Sequence, residues 1–210
     1  AHLKEALKLG IIDQTGDLST VSSAELVLIA LPVNAAINVL IQVLDLIPNQ
    51  AIVIDMGSTK QAICEAVAAH PKRANFLATH PIAGTEFSGP SAALKGLFKN
   101  KTNIICELNQ TSTELARKAI ALFETMGMHI RYMKAIDHDK HIAYVSHLSH
   151  ISSFMLGKTV IDKEKNESNI FYMAGSGFES TVRLAKSSPA MWTPIFEQNK
   201  DNVIETLKEY

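Results

Sequence analysis

Several stretches of the chain carry side chains of the kinds that move protons or hold anions. His80 stands in Thr79-His80-Pro81, after a short apolar run and just before the glycine-rich segment that opens at Gly84. An imidazole titrates near neutrality, so a histidine there suits a general base. The plainer reading is a strand-end histidine hydrogen-bonded for structural reasons. Asp55-Met56-Gly57-Ser58-Thr59-Lys60 follows another apolar run and offers a hydroxyl beside a glycine. Asp137, His138, Asp139 and His141, then Ser146-His147-Leu148-Ser149-His150, set titratable groups along one helical stretch. The spacing of His147 and His150 puts them on a common helix face, where they could hold zinc. No H-E-x-x-H occurs and no further ligand stands at a suitable spacing, so anion binding or hydrogen bonding is the favoured use and no metal is expected. Arg183, in a helix fed by Gly175 and Gly177, could grip a carboxylate through two parallel hydrogen bonds or lie on the surface as most arginines do.

The elements that must position these groups alternate. Glu25 to Leu31 is a near-continuous apolar run stopped by Pro32, which predicts a strand buried on both faces. Asn34 to Leu46 reads as a helix with Asn34 as its N-cap. Ala51–Asp55 and Asn75–Thr79 are further short strands, with a helix over Thr59–Ala69 between them. Gly84 to Asn100 reads as an irregular loop, and Thr102–Cys106, Thr113–Thr125 and Met128–Tyr132 as strand, helix and strand. This alternation predicts βαβ units with right-handed crossovers. After Ala135 no strand signal remains. His138–Gly157 reads as one long helix, and Glu167–Met173, Phe178–Ser187 and Pro189–Tyr210 supply more helix. The expected division is an α/β domain over 1–134 and an all-helical domain over 135–210. Ligands of an open α/β sheet sit at the carboxyl ends of its strands. Leu31-Pro32, Asp55 to Ser58 and Thr79 to Pro81 are successive strand ends that would line one crevice.

The bulk composition fits that picture. An apolar fraction of 47% and a charged fraction of 20% are ordinary for a soluble globular protein able to bury a core. A net charge of -1, with scattered basic residues, argues against a nucleic-acid or anionic-membrane surface. Cys64 and Cys106 form no metal or disulfide pattern and read as small buried residues in a reducing cytoplasm. The apolar runs fall well short of the ~20 residues a membrane span needs, and no signal peptide opens the chain. The opening AHLKEALKLGIID reads as a helix ending at Gly10, already inside a structure. No G-x-G-x-x-G spacing occurs in the sequence. Together these features predict a dinucleotide fold whose first roughly 30 residues, the first βαβ unit, precede Ala1.

Taken together, DMGSTK (55–60), HPIAGTEFSG (80–89), SHLSH (146–150) and GFESTVRLAKSSPAMW (177–192) resemble the prephenate/arogenate dehydrogenase family. Its marks are D-x-G-S-x-K, H-P-[IM]-A-G-[TS]-E-x-S-G, S-H-L-x-H and G-F-x-x-x-T-R-[IL]-A-x-S-x-P-x-M-W. The match runs in order over about two-thirds of the chain. One departure is Ser149, where the family usually has proline.

The resemblance implies an incomplete Rossmann-like parallel sheet followed by a helical dimerisation domain, with family members extending beyond both ends of this chain. It implies an NAD-dependent enzyme, NADP left open, that oxidises and decarboxylates prephenate on the route to tyrosine, and a homodimer. On that reading His80 is the base, with Ser58 orienting it and touching the cofactor alongside Leu31, Pro32 and Gly57. Arg183 and His150, with His147 and Ser146, hold the substrate, while Glu86 and Asp139 serve as gate or supporting residues. The competing expectations are arogenate as the better substrate, a non-catalytic dimerising fragment that binds an aromatic acid, and, less favoured, a metal-dependent hydrolase.

Overall fold

The computed structural model describes residues 2–85, 87 and 89–210. The chain divides into two compact units, Ala1–His138 and Asp139–Tyr210, a few residues past the expected division at 134.

In the first unit α1 (His2–Lys8) ends as Gly10 turns left-handed at φ 66°, a conformation glycine adopts without steric cost. Then follow β1 (Leu26–Ile29), α2 (Val33–Leu46), β2 (Ile52–Asp55), α3 (Gln61–Ala66), β3 (Phe76–Pro81), β4 (Thr102–Cys106), α4 (Thr113–Thr125), β5 (His129–Met133) and α5 (Ala135–Ile142), whose last turn belongs to the second unit. The described residues form a five-stranded sheet in the order β1-β2-β3-β4-β5. β1, β2 and β3 are parallel, as are β4 and β5, but β3 and β4 run antiparallel. The Rossmann-like sheet expected from the sequence is therefore present and mostly parallel, with one antiparallel step. The cause is the connection between β3 and β4, whose described residues form loop and a 3-10 turn at Pro90–Ala92 with no crossover helix among them. A parallel neighbour needs a crossover, whereas a loop returns the chain to the end it left. Ile82 N–H donates to Thr102 O at 2.8 Å, at the start of the return strand.

Strand alternation sorts the side chains between two apolar clusters. Val53, Phe76, Ala78 and Cys106 join Leu40, Val43 and Leu44 of α2 on one face. Ile52, Ile54, Leu77 and Ile105 join Leu115, Ala119 and Phe123 of α4 on the other. The registers Asp55↔Ala78 and His80↔Ile104 put Asp55 and His80 on the α2 face.

Two local expectations are corrected. β1 is shorter than predicted and is not buried on both faces: Leu26 and Leu28 are exposed, because β1 pairs only with β2 among the described residues. α2 starts at Val33 rather than after Asn34, with Pro32 at the N-cap accepting from Ala35 and Ala36 through its carbonyl.

The second unit is all helical. α5 passes through a wider π turn at Ala143–His147 into α6 (Leu148–Glu164), so the helix expected to close at Gly157 runs further. The helix expected over 167–173 shrinks to a 3-10 turn at Phe171–Met173. Asn169 adopts φ 84°, and the Glu164 carboxylate accepts from the N–H groups of Asn169 and Phe171, which fixes a turn there. α7 (Ser176–Val182) continues as a 3-10 turn at Arg183–Lys186, followed by α8 (Pro189–Gln198) and α9 (Lys200–Glu209). No helix among the described residues is long and apolar enough to cross a membrane.

Candidate active site

The loop after β2 is built around a buried ion pair. Lys60 and Asp55 pair with side chains 0% and 1% exposed, and the Lys60 ammonium also donates to Thr79 O at 2.7 Å. The other Asp55 oxygen accepts from Gly57 N–H at 2.9 Å, and Thr79 Oγ1 donates to Asp55 O at 2.7 Å. A charge this deep persists only when paired and hydrogen-bonded. Its partners here are the loop carrying Ser58 and the strand carrying His80. A Cβ at Gly57 would lie 3.0 Å from Asp55 Oδ1 and 3.4 Å from Val33, so glycine keeps the turn closed on that carboxylate. In the D-x-G-S-x-K pattern, Asp, Gly and Lys are therefore the frame, and the half-buried Ser58 is what the frame presents.

His80 is half-buried near the carboxyl end of β3, and its Nδ1 lies 2.8 Å from Nε2 of His138, a side chain 1% exposed on α5. His138 is thus a partner of that nitrogen, in addition to the orienting role that the sequence reading gave to Ser58. The strand ends Leu31-Pro32 and Gly57-Ser58 lie at the same edge of the parallel strands, with Leu31 and Pro32 exposed and Gly57 buried. Glu86 lies outside the described residues.

In the second unit His150 is half-buried on α6. Its Nδ1–H donates to Ser146 O at 3.0 Å, and its ring stacks on Trp192 with centroids 3.6 Å apart. Burial is the main cause that pushes its pKa below the usual histidine value; the Ser146 carbonyl opposes this, and the positive charge of Arg183 adds to it. Arg183 itself is exposed. Ser153, buried on α6, donates to Thr181 O at 3.0 Å and accepts from Ala185 N–H at 3.0 Å, so one hydroxyl brackets the turn that carries Arg183. The sequence reading missed Ser153. Its only signal was a small polar residue one turn beyond His150.

His147 lies deeper than His150. It is 1% exposed, its Nδ1 accepts from Asn199 Nδ2 at 3.1 Å, and its ring meets Trp192 and Phe196 edge-on. The same Asn199 amide donates to Asp139 O at 2.7 Å. His147 and Asp139 are thus both buried around Asn199, between α8 and α9, and the π turn that ends at His147 sets that side chain inward. Asn199, Trp192 and Phe196 thus fix the position of the His147 ring. Among the described residues no cluster of His, Cys, Asp and Glu is arranged to hold a metal ion.

Comparison with known proteins gives two domain matches that together run from end to end. Residues 1–132 match the prephenate dehydrogenase nucleotide-binding domain, and residues 134–210 the prephenate dehydrogenase dimerization domain. The prephenate dehydrogenase of Bacillus subtilis is 32% identical over 98% of this chain, which spans only 56% of that relative's length. Prephenate dehydrogenase from A. aeolicus, solved in complex with hydroxyphenyl propionate and NAD+, superposes with a TM-score of 0.90 at 31% identity, covering 99% of this chain and 73% of that one. Synechocystis arogenate dehydrogenase superposes at 0.78 with 26% identity, covering 100% and 76%. With both of its compact units matched in order, the chain belongs to the prephenate dehydrogenase family.

Proposed function

We propose that the protein oxidises and decarboxylates prephenate to 4-hydroxyphenylpyruvate, with NAD+ as oxidant, as a homodimer in the cytoplasm. The observation that carries this reading is His80: a half-buried imidazole near a strand end, with its Nδ1 engaged, in a chain whose family acts on this substrate. The dimer follows from the match of residues 134–210 to a dimerization domain. Cys64 and Cys106, both free and buried, suit a reducing compartment.

The strand-end residues fit the nicotinamide end of the cofactor. Exposed Leu31 and Pro32 offer an apolar surface, and Ser58 offers a hydroxyl beside the glycine that the Asp55 carboxylate holds in place. No G-x-G-x-x-G spacing for the pyrophosphate occurs within these 210 residues. When bound, NAD+ supplies the hydride acceptor.

The chain's own residues do the rest. The ring hydroxyl of prephenate hydrogen-bonds to Nε2 of His80, which takes the proton as that ring carbon is oxidised. The ring carboxylate then leaves as carbon dioxide, and aromatisation drives the step without further protein chemistry. Arg183 supplies the cation for a substrate carboxylate, on a turn that Ser153 holds. His150, kept neutral by burial, hydrogen-bonds the substrate without adding charge.

His80→Asn tests the reading. Turnover should fall by about 10²–10⁴-fold with prephenate binding kept; unchanged turnover would remove His80 from the mechanism. Rates with prephenate and arogenate, measured side by side, decide between the two substrates.

A further inference from the structure

The contact between His80 and His138 has a chemical consequence that the base role alone does not specify. Two neutral imidazoles facing each other at 2.8 Å hold one proton between their nearest nitrogens. In one arrangement His138 Nε2–H donates to His80 Nδ1, so a neutral His80 carries its own proton on Nε2 and cannot take another there. In the other, His80 Nδ1–H donates to His138 Nε2, and the Nε2 lone pair of His80 is the basic one.

We infer that His138 is a positioning residue for His80: its Nε2 accepts the Nδ1–H of His80 and thereby makes Nε2 of His80 the proton acceptor. The inference rests on the base role given to His80 above. The rings meet edge-on, with centroids 5.0 Å apart and planes at 62°, which aims one ring's N–H at the other's lone pair.

The surroundings of His138 suit an anchor. Its side chain is 1% exposed, its backbone N–H donates to Lys134 O at 2.9 Å, and α5 is tied down at its start, where Ala135 N–H donates to the Glu107 carboxylate at 2.8 Å. His80 itself is half-buried on a strand end. A neutral imidazole as orienting acceptor also differs from the carboxylate that usually fills this place. When His80 becomes charged, its Nδ1–H bond to His138 becomes charge-assisted and strengthens.

The test has two arms. In the wild-type protein, labelled with ¹⁵N-histidine and observed at a pH where both rings are neutral, His80 should show a pyrrole-type Nδ1 and a pyridine-type Nε2. This is the reverse of the tautomer free histidine prefers, and the opposite pattern would overturn the inference. In the second arm, His138→Leu should lower kcat by about 10²-fold with KM nearly unchanged, the scale of loss expected from a misplaced catalytic group. His138→Gln, whose amide oxygen can occupy the place of Nε2, should recover much of that loss. Wild-type kcat in a folded leucine variant, or no recovery in a folded glutamine variant, would overturn it. If His80→Asn retains full activity, the proposed function fails, while the nitrogen spectra still decide the tautomer.

Discussion

Replacing Lys60 by methionine should be among the most damaging single changes in the first unit. The substitution keeps most of the side-chain volume and removes the charge. What remains is an Asp55 carboxylate, 1% exposed, still held by Gly57 N–H but without its cation, and a Thr79 carbonyl without the ammonium. Breaking a buried pair by removing one partner costs about 3–5 kcal/mol. For a protein of this size that corresponds to a fall of roughly 6–20 °C in Tm, at about 2–4 °C per kcal/mol. Thermal unfolding followed by circular dichroism measures it. Asp55→Asn in the same chain should restore a large part of the loss, because the stranded charge is then gone and an amide oxygen can still accept from Gly57. A single variant that melts within about 2 °C of wild type, below the 1 kcal/mol this scale resolves, would refute the reasoning. So would a double variant no more stable than the single one.

Other predictions follow from individual contacts. Ser153→Ala leaves Thr181 O and Ala185 N–H without the hydroxyl between them, at a cost of about 1–3 kcal/mol; prephenate KM should rise more than kcat falls, because the turn carrying Arg183 loosens. His150 has a folded pKa held below its unfolded value by burial, so its stabilising effect is complete above the unfolded value near 6.5 and is lost as pH falls below it. Unfolding measured across that window should show a slope that His150→Gln flattens, and fluorescence of Trp192, the only tryptophan and stacked on that ring, should change over the folded-state titration. Cys64, its thiol pushed up to about 11 by burial, should resist alkylation in the folded protein at pH 8 and react once denatured; labelling of Cys64 at the rate of a free thiol would contradict that.

Much of this site was legible because its frame is local. Asp55, Gly57 and Lys60 lie within one turn of chain, so their spacing already encodes the loop, and the continuous buried runs of β2 and β3 identify the strand ends that carry Ser58 and His80. The helical second half was equally plain from the loss of strand patterning after Ala135. What escaped the sequence is non-local. His138 reaches His80 across 58 positions, and Ser153 reaches Ala185 across 32, and neither pairing leaves a mark in residue spacing. His147 and His150 share a spacing that suits joint action, yet the π turn before α6 sets His147 inward against Asn199 and leaves His150 half-buried. The antiparallel step at β4 was hidden for a related reason: a strand's own residues do not state which way its neighbour runs, and the glycine-rich, helix-poor composition of 84–100 was the only hint.

The most direct test of the account is a single assay: the initial rate of NADH formation from NAD+ and prephenate, with 4-hydroxyphenylpyruvate quantified in the same samples, for wild type and His80→Asn. The account predicts one NADH per 4-hydroxyphenylpyruvate in the wild type and a loss of about 10²–10⁴-fold in the variant. NADH formation that His80→Asn leaves unchanged, or prephenate consumption without stoichiometric NADH, would contradict it.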